Sequence, residues 1–103
     1  MRETNQEVTI HSAFCIYINS VAEGPIPLWR DEKDLPVVYS TKLLAEREIA
    51  DDMMIRLREF MDGEREFEDA MTVEEYIVEV DVFADGSITD ADGNLFASRR
   101  HTA

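Results

Sequence analysis

Hydrophobic positions along the chain change period several times, and each change marks an element. Val8, Ile10, Phe14, Ile16 and Ile18 share one parity, while Thr9, His11, Cys15, Tyr17 and Asn19 share the other. A period of two predicts a strand from about 8 to 19, the longest of the domain. Glu23 to Trp29 contains Pro25 and Pro27, which cannot donate ladder hydrogen bonds, so this segment reads as an extended loop or a frayed edge. Asp31-Glu32-Lys33-Asp34 is a solvated turn. Val37-Val38-Tyr39 is a short strand or a helix approach, with Ser40 or Thr41 placed to cap a helix after it.

From about Thr41 to Asp62 the period becomes that of a helix. At about 100° per residue, Leu43, Ile49, Ala50, Met53, Met54, Leu57, Phe60 and Met61 fall within a sector about 140° wide, the face expected to pack on a core. Gly63 stops the helix. Glu46 projects into the same sector from the first turns, where its carboxylate reaches solvent and favours the helix N-terminus. Leu44 and Ile55 share a second, narrow stripe on the charged side, which reads either as incidental exposure or as a partner contact.

Glu64 to Met71 is a short second helix or a turn. Thr72-Val73-Glu74-Glu75 matches a capping box and would start a helix, yet Tyr76, Val78, Val80 and Val82 then alternate with Ile77, Glu79, Asp81 and Phe83. The longer alternation predicts a strand from about 75 to 83. Asp85-Gly86 and Asp92-Gly93 are hairpin signals on either side of a return strand at 87–89, and Asn94 to Phe96 forms a last strand. The expected fold is a single α+β domain over 8–97, an antiparallel sheet of about four strands packed on one long amphipathic helix, in the order β(β)αβββ. Residues 1–7 are expected to be a loose N-terminus and 98–103 a disordered tail.

Charge changes this picture. The chain has 10 Lys and Arg against 23 Asp and Glu in 103 residues, a net −13. Residues 63–92 alone hold one basic and eleven acidic residues, a net −10, so the acidity is regional. Glu75, Glu79 and Asp81 share the outward parity of the predicted strand, spaced about 6.6 to 6.8 Å between alternate side chains. Glu64, Glu66, Glu68 and Asp69 precede them. Phosphates of each DNA strand recur about every 3.4 Å of axis, so a carboxylate row on a rigid strand can imitate a phosphate row. The same row is also what an ordinary wet sheet face looks like. A chain this negative is repelled by nucleic acid and by anionic lipid, so neither is expected as a direct partner. Eight Arg against two Lys, Lys33 and Lys42, keep open a salt-adapted or compositional origin of the charge.

Chemistry adds exclusions. One cysteine, Cys15, allows no intrachain disulfide and suggests a reducing compartment, with cytoplasm the expectation; neither a signal-peptide core nor a membrane span is present in the sequence. His11 and His101 are the only histidines. His11 and Cys15 lie about 13 Å apart along a strand, too far for a nucleophile and its base. Aligning Asp90, Asp92 and Asn94 to a calcium loop puts Leu95 where glycine is required and His101 where the bidentate carboxylate belongs. No phosphate-cradling glycine loop occurs. No catalytic residue, metal or cofactor is therefore assigned, and an enzyme is the least favoured class.

The leading expectation is a non-enzymatic interaction protein. Its acidic surface, comprising Glu64, Glu66, Glu68, Asp69, Glu75, Glu79 and Asp81, would occupy a basic site on a partner, a nucleic-acid-binding protein above all; inhibitors of restriction or other defence nucleases fit that physics. The competing expectation is an accessory module in an unspecified pathway, binding through Trp29, Leu44 and Ile55 or through a sheet edge, with charge serving solubility only. Trp29 beside two prolines is either a partner anchor or a lid on the core. A core this small also leaves room for homodimerisation through a sheet edge or the helix.

Overall fold

A computed structural model describes residues 9–99 of the chain. The elements run β1 (Thr9–Ser20), β2 (Gly24–Pro27), β3 (Val38–Tyr39), α1 (Lys42–Met61), α2 (Phe67–Met71), β4 (Tyr76–Phe83), β5 (Ile88–Thr89) and β6 (Leu95–Phe96). The architecture is α+β, with one long helix and one antiparallel sheet. Among the described residues the sheet has six strands rather than about four, in the order β2-β1-β4-β5-β6, with β3 also pairing β1. Two additions explain the difference. The proline segment forms an edge strand, where the missing donors of Pro25 and Pro27 are tolerated, and Val38–Tyr39 pairs further along the same edge of β1. The expectations for residues 1–7 lie outside the described residues.

Strand β1 is the spine. It pairs with β4 along most of its length, from Thr9 opposite Phe83 to Tyr17 opposite Tyr76, with a bulge between Thr9 and His11. In this register Ala13, Cys15 and Tyr17 lie on one face with Val80, Val78 and Tyr76, and Ile88, Phe96 and Val38 complete a core there. Tyr17 is the largest buried side chain, with its ring edge-on to Phe96 at 5.8 Å and tilted against Tyr76 at 6.2 Å. Ile16 is buried too, but on the opposite face with Ile18 and Ile77. Helix α1 touches β1, β3 and β4 and lies across that face. The core fills the face of β1 that carries Cys15 and Tyr17, which is why both are buried even though they sit among its polar parity.

The sheet curls toward closure, nearly a barrel, and the loop between β2 and β3 ties its ends. Arg30 Nη1 donates to Asp34 O and, across the open seam, to Ala97 O; Ser98 Oγ donates to Lys33 O and the Arg99 amide to an Asp34 carboxylate oxygen. Ser98 and Arg99, assigned by composition to a loose tail, are thus hydrogen-bonded to this loop. Leu35 of the loop packs over the β4–β5 turn. Gly86 there has φ +89°, and a Cβ at this position would come within 2.6 Å of Leu35 Cδ1. Asp85 and Asp90 each bond the amides of their own turns, which accounts for both Asp-Gly signals.

Helix α1 begins and ends as its sequence predicts. Thr41 is the N-cap and its hydroxyl accepts from the Leu44 amide; Gly63 leaves with φ +80°. Its roll about its own axis differs from the prediction. The packed side carries Ala45, Ile49, Asp52, Met53, Arg56, Leu57 and Phe60, while Leu43, Ala50, Met54 and Met61 stand exposed. Relative to the predicted apolar sector, the helix is turned by about 60°, two charged residues inward and four apolar ones outward. Among the described residues no helix is long and apolar enough to cross a membrane.

Candidate functional site

Arg56 explains the roll. Its Nη2 lies 3.1 Å from a Glu75 carboxylate oxygen, its Nη1 donates to Thr72 O at 2.6 Å, and its Nε is 3.1 Å from Asp52 one turn earlier. The Nε contact is out of line for a hydrogen bond, so Asp52 acts there as a charge. Side-chain exposure is only 13% for Arg56 and 6% for Glu75, so the pair is a buried link between α1 and the start of β4. Burial raises the Asp52 carboxyl above its ordinary value, the neighbouring Glu75 raises it further, and Arg56 opposes both. A second guanidinium, Arg65, bridges Glu59 of α1 at 2.6 Å and Asp69 of α2 at 2.7 Å. Phe60 and Phe67 meet beside it with ring centroids 5.2 Å apart.

These links divide the expected acidic surface. Glu75 precedes β4 and is turned inward to Arg56, so the outward row loses its first member: parity was extended one residue past the strand. Thr72 and Glu75 do not form a capping box either; the Thr72 hydroxyl donates back to Glu68 O, closing α2. Asp69 remains exposed but is paired with Arg65. Glu64, Glu66, Glu68, Glu79 and Asp81 are exposed and have no cationic partner among the described residues. Glu79 and Asp81 stand opposite Phe14 and Ser12 on the face that carries Ile16, while the other three flank the turn into α2.

The apolar candidates separate as well. Trp29 is half-buried and lines a cleft of about 330 Å³ with Ile18, Leu28, Ile55 and the Arg56 cluster, between the helix and the sheet. Ile55 reaches that cleft while remaining largely exposed. Leu44 lies apart, in a shallow groove with Tyr39, Ala50 and Met54. Leu44 and Ile55, both exposed, thus border different hollows of the surface. Sequence reasoning missed the charged inner side of α1, for which the i, i+4 spacing of Asp52 and Arg56 was the available signal. It also missed the exposed Leu43, Met54 and Met61.

Cys15, Tyr17 and Asp90 are titratable groups held in contacts within the fold. Cys15 is buried and its thiol donates to Val37 O at 3.4 Å; burial pushes its pKa up to about 12, so it stays protonated and is a poor nucleophile. The Tyr17 hydroxyl is held far above its ordinary value by burial and by its hydrogen bond to Asp90. Burial opposes ionisation of Asp90, but hydrogen bonds from Asn94, Tyr17 and Asp92 outweigh it and hold the carboxyl low. Among the described residues no group of three or more His, Cys, Asp or Glu side chains is arranged to hold a metal ion. No protein-family model matches this chain, and no curated protein or solved structure matches it.

Proposed function

We propose that the protein is a non-enzymatic acidic interaction protein of a reducing cytoplasm, which presents Glu64, Glu66, Glu68, Glu79 and Asp81 to a basic site on a partner. The observation that carries this reading is their shared state: five exposed carboxylates without a cationic partner among the described residues, within the stretch of net −10. Asp69 and Glu75 support the surface from behind by fixing α2 and the start of β4 to the helix. The partner is a basic protein, and a nucleic-acid-binding one is favoured because a phosphate backbone presents comparable charge. A second reading has its own support: Leu44 and Ile55 are exposed and Trp29 lines a cleft beside Ile55, as an accessory module docking through apolar contacts requires.

The test is affinity capture from host extract with the full chain, resolved by salt and by competing duplex DNA. Release of the captured proteins by moderate salt and by duplex DNA is the expected result. Neutralising Glu79 and Asp81 together with Glu64, Glu66 and Glu68 should abolish capture, whereas neutralising Glu46 and Glu48 on the helix should not. Capture that survives high salt, ignores DNA and is lost on Trp29→Ala or Ile55→Ala would establish the apolar module instead.

A further inference from the structure

Helix α1 leaves an apolar stripe uncovered by the other described residues: Leu43 is 54%, Met54 63% and Met61 78% exposed. We infer that this stripe is a self-association surface, and that its occupant is α1 of a second copy, docked antiparallel. Spacing is the first argument. Leu43, Arg47, Ala50, Met54 and Met61 fall within a sector about 60° wide along α1, narrow enough for one seam, with the half-buried Leu57 at its edge. The sheet-facing side of α1 has the same spacing but is already taken, with Ile49, Asp52, Met53 and Arg56 packed inward.

Charge identifies the occupant. Although the chain is −13, the exposed charges of α1 balance, with Lys42, Arg47 and Arg58 against Glu46, Glu48 and Asp51. A strongly basic partner gains little on this neutral side. A second copy meets an identical mixed surface, and orientation decides whether the signs match. Parallel helices would set Arg47 against Arg47 within the seam. An antiparallel pair with Ala50 opposite Met61 of the second copy sets small against large and brings Met54 against the half-buried edge of Leu57. It also places Asp51 of each chain beside Arg58 of the other and carries Arg47, and Leu43 with it, beyond the end of the apolar contact.

This association is independent of the acidic surface and has the opposite response to salt. Salt screens the repulsion between two negative chains, so self-association strengthens with ionic strength while binding of a basic partner weakens. Sedimentation velocity of the full chain over a concentration series reads it directly, with circular dichroism confirming that each variant is folded. The wild type is expected to pass from monomer to dimer. Met54→Glu should raise the dissociation constant by about tenfold or more, while Ile55→Glu, about 100° further round the helix, should not. Asp51→Arg and Arg58→Asp should each weaken the dimer, and the double reversal should restore it. These two exposed positions keep the inference testable should Met54→Glu fail to fold. A wild type that is monomeric at every concentration, a loss equal for Met54→Glu and Ile55→Glu, or a double reversal no better than its single changes would overturn it.

Discussion

The strand pair β1 and β4 and the helix α1 are each more than half apolar, yet they dispose of their apolar residues in opposite ways. The strands are covered along one face and only partly along the other, where Glu79 and Asp81 reach solvent. One face encloses Ala13, Cys15, Tyr17, Val80 and Val82, and the other encloses Ile16. The helix encloses a single alanine, Ala45, turns Asp52 and Arg56 inward and leaves Leu43, Met54 and Met61 outside. Packing therefore holds the sheet, whereas charge pairing fixes the roll of the helix upon it. A helix held in this way keeps an apolar side for something else.

The sharpest way to break that contrast is Arg56→Ala. It would strand Glu75 and Asp52 without their counter-ion in a site where the Glu75 side chain is 6% exposed. Removing one partner of such a pair costs about 3–5 kcal/mol, comparable to the roughly 2–5 kcal/mol expected for Ile88→Ala in the sheet core. Urea melts of the two variants measure both. The combined change Asp52→Asn, Arg56→Met and Glu75→Gln removes all three charges together and should recover most of the loss. A cost below about 1 kcal/mol for Arg56→Ala would mean that the helix is held by something other than this cluster.

A smaller effect tests the sheet side. Tyr17→Phe keeps the ring among Phe96 and Tyr76 and deletes only the hydrogen bond to Asp90, so about 1–3 kcal/mol is expected. The two regions also respond oppositely to acid. Asp90 and Asp85 have carboxyl groups held below the ordinary value: at Asp90 hydrogen bonds outweigh burial, and at Asp85 the Ser87 hydroxyl and amide lead. The stability they contribute is present above about pH 3.9 and is lost as pH falls through their lower native values. Asp52 is raised, so the native state binds its proton first and stability rises as pH falls through that raised value. Thermal midpoints against pH should show Asp90→Asn blunting the acid loss and Asp52→Asn removing the opposing gain.

The pattern of residues disclosed what is local and concealed what is not. Strand β1, the limits of α1 with Thr41 as its cap, strand β4 and both Asp-Gly turns follow from periods and turn chemistry, which act within a few residues. The roll of α1 does not, because Arg56 finds Glu75 nineteen positions away and no periodicity encodes that pair. For the same reason Glu75 looked like part of an outward row and Met54 like part of the core. The latch of Arg30 on Ala97 is sixty-seven positions long and equally invisible. A local device gives a local effect: Thr41→Ala removes the hydroxyl that accepts from Leu44 and should cost about 1 kcal/mol, read in the same melts.

The smallest expected effect concerns the side of the helix that the fold leaves unused. Met54 is 63% exposed, so at high dilution Met54→Glu should change the thermal midpoint by no more than a surface substitution does, about 0.5 kcal/mol in stability. Its consequence is expected in the concentration dependence. If two copies associate along α1, the wild-type midpoint rises with protein concentration, because a ligand bound only by the native state stabilises it by mass action and here that ligand is the protein itself. The Met54→Glu midpoint should be flat over the same range, and the Ile55→Glu midpoint should rise like the wild type. Arg56→Ala would then separate the two properties of the helix. By releasing its roll against the sheet it should lower the midpoint at every concentration, whereas Met54→Glu lowers it only where the wild type is paired.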